Sequence, residues 1–590
     1  MHTHTANTRM LTRLCFRLLP VQILLAAVGS VNGIVTSLFA TNSIGSDAMT
    51  AVGLYAPASM LIGAFSTMLV GGSQILCAEF KGREQVERSQ EIFSLDILLA
   101  CAFSAVCTLV LFLAGALHLT GLFTQDAQVR AYFDQYLIGM ALGVLPQVLG
   151  QQLSAFLSLE NRSGRAFAAS IAYILINPVL DYLFVYRMHL EALGLALASS
   201  IGLWVFCIVQ IFCFLRPDAV LKLQLRSLSF RDAAEILRIG SHGALTNGYL
   251  TFRSLWVNGL ILAYVGNAGL SAFTACNSFL NLFWAVPAGM LAVSRMLISV
   301  SVGEEDRQSL LDVMRVMLRR FLPLVCAMAG ALILCAVPLT RLYYQDPSAP
   351  VYMMTVWGFR ILPLCMPFSL ICMHFTCYGQ VCGREALVHI TALLDGVLCV
   401  GIYATLLIPF IGMNSVYIAN VLNGLTVTFC FFLYAVRRNR HVPRDLAEWM
   451  VVPADFGVRE DARMDLSVRS VEEVTAISEE VQAFCLRRGI DPRRSMLSAL
   501  ALEEMAGNVI DHGFRKDRKP HFVDIRVVDK DGSLILRIKD DCVPFDPASR
   551  RDIADPSDPS RNIGIRMVYR IARSVSYQNI LGLNVLTIRI

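Results

Sequence analysis

Apolar segments of membrane-crossing length recur along the first 436 residues, at roughly 14–38, 50–77, 92–118, 132–155, 166–186, 192–214, 242–264, 270–297, 318–340, 354–377, 386–408 and 414–436. A helix crosses a hydrocarbon core about 30 Å thick with about 20 residues at 1.5 Å each, so every segment is long enough. Hydrocarbon offers no partner to a backbone amide, and segments of this length meet that demand as helices. The charges divide accordingly. Residues 1–436 hold 45 Asp, Glu, Lys and Arg, whereas the 154 positions of 437–590 hold 50, so the tail is written for water.

Basic residues set an orientation. The N-terminus, the even-numbered loops and the start of the tail carry 21 of them, and the odd-numbered loops carry only Arg130, Arg187 and Arg341. By the positive-inside rule both termini lie in the cytoplasm of a cytoplasmic (inner) membrane, which requires an even number of spans and fits twelve. The net charge of +5 is shared by both parts, so neither has the basic excess of a nucleic-acid binder. The 17 cysteines are scattered through apolar runs with no CxxC pair, and read as small buried hydrophobes.

The two halves of the apolar part echo each other. Gly82 in KGREQVERSQ and Gly303 in VGEEDRQSL are 221 residues apart, TQDAQV and YQDPSA 220, and SGRAF and CGREA 219. Six spans repeated in one orientation predict two bundles with a path between them. At VNGIVTSLFATNSIGSDAMTAVGLYAP (31–57), AEFKGREQVERSQEIF (78–93) and LSLENRSGRAFAASIAYILINPVLDYLFVY (157–186) the chain resembles the multidrug and toxic compound extrusion (MATE) transporters. The resemblance covers about 1–436. It implies a secondary transporter that extrudes small organic compounds in exchange for Na⁺ or H⁺. Where that family's first span often carries an acid, this chain has Thr36.

Ionisable and polar residues inside spans are costly toward lipid, so Asn177, Asp181, Arg253, Arg360, His389 and Asp395 are candidates for the transport lumen. Some have a plainer reading beside them. Asp181 follows Pro178, which can simply kink its helix, and the Asp395–His389 pair serves equally as a helix contact.

In the tail, 437–463 reads as a linker. A short strand follows at 465–470, then helices at 471–489 and 491–511, strands at 521–530 and 533–540 about the hairpin signal Asp531-Gly532, a helix at 563–573 and a closing strand pair. Helices on one face of a mixed or antiparallel sheet make a two-layer α/β sandwich. Three segments then resemble the ATP-binding fold shared by histidine kinases, gyrase and Hsp90, and most of all the anti-sigma serine kinases: LEEMAGNVIDHGF (502–514), KDDCVPFDP (539–547) and RNIGIRMVYRIA (561–572). The resemblance implies ATP and Mg²⁺ as cofactors, Glu504 as general base or water-orienting residue, and Asn508 as the Mg²⁺ ligand. It gives Asp540 the adenine amino group, Phe545 and Pro547 the apolar pocket, and Asn562 and Gly564 the phosphate turn. Cys542 stands where that family has glycine.

The expected fold is therefore an all-α membrane protein of twelve helices in two six-helix lobes, followed by the α/β domain. The corresponding domains are 1–213, an inter-lobe connection 214–241, 242–436, the linker 437–463, and the ATP-binding domain 464–590. The expected function is ion-coupled export of small organic compounds across the lipid bilayer, regulated by or coupled to a serine/threonine-kinase-like tail. Two other readings stand beside it: a membrane-tethered switch acting on a cytoplasmic phosphoacceptor of the anti-sigma-antagonist kind, and a transporter whose tail binds nucleotide or protein without catalysis.

Overall fold

The computed structural model describes residues 3–39, 44, 46–122, 126–160, 162–216, 220–224, 230–468, 470–514, 521–530, 532–548 and 563–590. The membrane part opens with α1 (Thr3–Phe39), α2 (Ser46–Gly82), α3 (Val86–Ala116), α4 (Ala127–Leu159), α5 (Ser163–Asp181) and α6 (Glu191–Phe214). Its second half runs through α7 (Phe230–Tyr264), α8 (Asn267–Gly303), α9 (Arg307–Val316), α10 (Leu322–Leu334), α11 (Ala336–Tyr343), α12 (Pro350–Ile361), α13 (Met366–Val381), α14 (Glu385–Leu393), α15 (Cys399–Ile411) and α16 (Asn414–Asn439). π-helical turns follow α5 at Tyr182–Arg187, join α9 to α10 at Met317–Phe321 and join α14 to α15 at Leu394–Leu398.

Among the described residues, eleven helical stretches are long and apolar enough to cross a membrane, against the twelve expected. The difference lies at 242–264. That segment belongs to α7, whose 35 residues give ample length, but His242, Thr246, Asn247, Thr251, Arg253, Ser254 and Asn258 dilute its apolar character.

Close helix approach depends on glycine. A Cβ on Gly240 of α7 would stand 1.8 Å from the Met68 carbonyl oxygen of α2, and one on Gly72 would stand 2.0 Å from the Ile236 carbonyl oxygen. Small residues let backbones touch where lipid supplies no hydrophobic drive between helices.

The tail adds α17 (Leu446–Trp449), β1 (Arg463–Val468), α18 (Val471–Arg487), α19 (Pro492–Asn508), β2 (Val523–Lys530), β3 (Ser533–Asp540), α20 (Ile563–Ile571), β4 (Ser574–Ile580) and β5 (Leu583–Arg589). The sheet order is β1-β2-β3-β5-β4, every neighbour antiparallel. Gly532, at φ +72°, makes the β2–β3 turn that pairs Lys530 with Ser533.

Strand alternation gives the sheet two different faces. Ile525, Val527, Leu536, Ile538 and Ile588 bury one face against Val481, Leu502, Met505 and Val568 of the helices. The other face rests on the membrane part. Ile580, Leu581, Leu583 and Val585 join the apolar cluster of the membrane helices, and basic side chains reach the connections after α2 and α8. Burial pushes the Asp306 carboxyl up, but Arg526, Lys539 and the bonds from Ser309 outweigh it and hold the group well below the usual carboxylate range. Asp524, on the same face, has both oxygens out of solvent. Burial pushes it up to about 6, against small opposing effects from Ser467 and Lys539.

Two expectations follow. Gly240→Ala should lower the melting temperature by overpacking α2 against α7, a cost of about 1–3 kcal/mol, whereas Gly248→Ala, with nothing within 4 Å of its Cβ, should not. Equal melting curves would refute that packing. Because the folded pKa of Asp524 is raised, its ionisation opposes folding above the ordinary carboxylate range and most fully above about pH 6. Asp524→Asn should therefore stabilise the protein at pH 7.5, by on the order of 2 kcal/mol, and progressively less as pH falls toward 4; differential scanning fluorimetry across that range reads both the sign and the window.

Candidate functional site

A cavity of about 620 Å³ opens between the helices and the end of the sheet in the tail. Its first wall is α19. Asp491 caps that helix by accepting bonds from the Arg493 and Arg494 amides, and Pro492 occupies its first turn, where a missing N–H costs nothing. Leu502, Met505 and Ala506 turn to the core, while Glu504 and Asn508, one turn apart, face the cavity.

The floor is the end of β3. The alternation that buries Leu536 and Ile538 also turns Asp540 inward, where it is 5% exposed. Its Oδ1 accepts from the Cys542 amide at 2.9 Å and from Asn584 Nδ2 at 2.7 Å. Burial raises its pKa, and the Asn584 and Cys542 hydrogen bonds partly oppose that. Tyr577 donates to Asn584 Oδ1 at 2.8 Å and accepts from the Phe545 amide at 3.1 Å. Burial pushes its phenol up to about 12, so it stays a neutral donor. The chain from Asp540 through Asn584 and Tyr577 to Phe545 thus ties the carboxylate to the loop.

The third wall is the start of α20. A Cβ on Gly564 would stand 1.9 Å from Glu504 Oε2, so only glycine lets that carboxylate approach this helix N-terminus, where the backbone dipole favours negative charge. Cys542, buried, sends its sulfur toward Gly513, whose Cβ position lies 3.0 Å from it.

The structure thus brings Glu504, Asn508, Asp540, Phe545 and Gly564 to one cavity, while Asn562 lies outside the described residues, as does most of the preceding loop. Sequence reasoning missed Asn584 and Tyr577. The available signal was Asn584 itself, a polar residue at an inward position of LNVLTIRI.

The transport candidates separate into several places. Asn177 and Asp181 on α5 are fully buried, and Asn177 Nδ2 donates to Asp181 Oδ2 at 3.1 Å. Asp395, in the π-helical turn before α15, accepts from Asn423 Nδ2 at 2.7 Å, and Arg253 of α7 donates to its backbone oxygen at 3.4 Å. His389 is not with Asp395. It lines a cavity of about 140 Å³ beside Glu79, Arg238, His242 and Gln380. Arg360 is exposed, its guanidinium 5.4 Å from the centre of the Trp357 ring. The side chain of Thr36 lies outside the described residues.

Comparison with known proteins agrees with both parts. Residues 23–183 match the MatE family, and residues 468–590 match the family of histidine kinase-like ATPase domains. The probable multidrug resistance protein NorM of Bacillus licheniformis is 24% identical over 191 residues, 30% of this chain and 40% of that protein, so the match spans less than half of that relative's length. Among solved structures, a multidrug resistance MATE family transporter of the MOP superfamily in its outward-facing conformation superposes with a TM-score of 0.67 at 19% identity, covering 72% of this chain and 96% of that one. A MOP superfamily transporter from Pyrococcus furiosus, described as having a binding pocket of reverse polarity, gives 0.66 at 18% identity over 75% and 99% of the two chains. A mutant of the Vibrio cholerae MATE transporter VcmN gives 0.67 at 17% over 73% and 98%. The fold and the two matches together make this chain a multi-pass membrane protein in which an N-terminal MatE domain is fused to a C-terminal histidine-kinase-like ATPase domain.

Proposed function

We propose that the chain exports small organic compounds in exchange for Na⁺ or H⁺, through twelve spans arranged as two six-helix lobes, and that its tail binds Mg²⁺ and ATP and regulates transport. The lobes are residues 1–213 and 242–436, joined by 214–241; 437–463 is the linker and 464–590 the nucleotide domain. Both termini lie in the cytoplasm, a reading supported by the asymmetry of basic residues between alternate loops.

The observation that carries the transport reading is a carboxylate held by an asparagine in each half: Asp181, fully buried, by Asn177, and Asp395, half-buried, by Asn423. A carboxylate at membrane depth is costly unless it works in a polar cavity. Binding H⁺ or Na⁺ there neutralises it, and the energy of the half changes with the ion. Arg253, on the backbone of the Asp395 turn, positions that turn against α7.

The residues of the tail fit ATP. Asp540, buried and anchored through one oxygen, is an acceptor suited to the adenine amino group, with Phe545 and Pro547 beside it. Gly564 keeps the start of α20 open at the height of Glu504, where phosphates would approach backbone amides, and Asn562 precedes it in the chain. Asn508 offers a hard oxygen for Mg²⁺. Bound nucleotide would supply the phosphoryl group for transfer. Glu504 is the group able to take a proton from an attacking serine or threonine of a cytoplasmic phosphoacceptor, and this is the specific ground for a kinase reading beside the regulatory one.

In proteoliposomes under imposed Na⁺ or H⁺ gradients, Asp395→Asn and Asp181→Asn should each slow coupled efflux of a fluorescent organic cation at least about tenfold, since each removes a costly group that has to be serving the cycle. Efflux with unchanged ion dependence in both would reject coupling at these carboxylates. For the tail, Asp540→Asn should weaken ATP and ADP alike by roughly 10- to 100-fold, the cost of one charge-assisted bond in an apolar pocket. Glu504→Gln should leave calorimetric affinity within about threefold and abolish phosphoryl transfer. Nucleotide binding that is the same in wild type and Asp540→Asn, or absent from both, would rule out this adenine site.

A further inference from the structure

The connections after α2 and α8, which carry Glu84 and Glu304 to Asp306, occupy matching places in the sequence repeat, since Gly82 and Gly303 end the two helices 221 residues apart. Both meet the same face of the tail sheet. Glu84, in the first connection, receives Arg537 at 3.4 Å and Arg589 at 3.2 Å. In the second, Glu304 receives Lys539 at 2.5 Å and Arg537 at 3.9 Å, and Asp306 receives Arg526 at 2.6 Å. Arg537 therefore reaches both connections with one guanidinium, Nη2 toward Glu84 and Nη1 toward Glu304.

These groups are largely withdrawn from water. The Glu304 side chain is 2% exposed, Asp306 4%, Arg537 12% and Glu84 13%. Parting such a pair leaves charges buried without partners unless water enters, which makes release all-or-none in character. The helix ends behind the connections are shut. A Cβ on Gly82 would stand 2.5 Å from the Val300 oxygen, and one on Gly303 would stand 2.1 Å from the Glu79 oxygen. The backbones of α2 and α8, one from each half, are thus in contact directly beneath the sheet.

We propose that the tail sheet is a latch: it holds the ends of the two halves together on its own side of the membrane, with Arg537 as the bridging group, and that side opens only when the sheet releases one connection. A sheet bound to one half alone would ride with it, whereas a sheet bound to both must give up ion pairs before the halves part. The latch also sits on the strand that forms the nucleotide site. Along β3, Arg537 and Lys539 face the connections while Asp540, the next residue, faces the cavity. A shift of β3 at one face therefore moves the groups of the other, which is the physical route by which nucleotide could reach the transporter. This deepens the regulatory reading proposed above and rests on it for what opens and closes.

The test is mass-spectrometrically mapped thiol alkylation of the full chain in lipid nanodiscs, with an Ile236→Cys reporter. Ile236 is 0% exposed and its carbonyl faces Gly72 across the α2–α7 seam, between helices of the two halves. With N-ethylmaleimide as the probe, adding Arg537→Gln should speed alkylation at position 236 by about tenfold or more, because two buried contacts are lost together. Glu84→Gln, which frees one half only, should act in the same direction. Rates equal to the parent in both variants, each monodisperse by size exclusion, would overturn the latch; should either variant misfold, the other decides. The assay contains no substrate, ion gradient or nucleotide, so a failure of the export or ATP reading leaves its result unchanged.

Discussion

A carboxylate withdrawn from water is costly unless it meets a donor or loses its charge, and several acids of this molecule are placed by that constraint. In the membrane part the donors are amides, Asn177 for Asp181 and Asn423 for Asp395. At the cavity of the tail an amide serves again, Asn584 for Asp540. At the junction of the two parts the donors include cations, because there the acids come in a cluster, Glu84 and Glu304 to Asp306. Neutral partners leave a carboxylate free to exchange its proton or ion. Cationic partners fix it in the charged state, as the depressed pKa of Asp306 shows. The first kind suits an ion-responsive site and the second a contact that must hold.

One strand joins two of these places. The period of two along β3 makes successive residues serve opposite faces, so Lys539 anchors the sheet to the membrane part while Asp540 enters the cavity. Asn584, opposite Asp540 on β5, belongs to the inward set, whereas Val585 and Leu583 beside it contribute to the apolar cluster shared with the membrane helices. The ATPase-type fold uses one face of its sheet for helices and site, and this chain uses the remaining face as a docking surface.

Much of this was legible in the residues. The strands of the tail were marked by alternation and by Asp531-Gly532, and Glu504 and Asn508 by their spacing on a helix with an Asp-Pro start. Asn584 was not legible as a partner of Asp540, because 44 residues separate them and only the β3–β5 register brings them together. The docking face was hidden for a related reason: Glu84, Glu304, Arg537 and Lys539 each read locally as solvated charges, and nothing local distinguishes a cation facing water from one facing a carboxylate 453 residues away. His389 and Asp395 were placed together on sequence proximity, but six residues of helix rotate them apart, and a π-helical turn begins between them. The segment 242–264, expected as a seventh span, is a helix too polar to count among the eleven apolar stretches of the described residues, since α7 carries Arg253 and a series of hydroxyl and amide side chains.

The central claim is that the tail sheet is docked on the membrane part through charged pairs, and zero-length carbodiimide cross-linking of the full-length protein in native-like membranes tests it most directly, at the connection after α8. The reagent activates a carboxylate and an amine in contact displaces it, so only paired side chains become joined. Among the described residues, Lys539 with Glu304 at 2.5 Å and Lys530 with Glu305 are the two lysine pairs across the junction. Peptide mapping should recover both isopeptides, each suppressed when its glutamate is changed to glutamine. Both lysines recovered unmodified, in a sample where the reagent has demonstrably activated Glu304 and Glu305, would contradict the docked sheet and with it the physical link between the two parts.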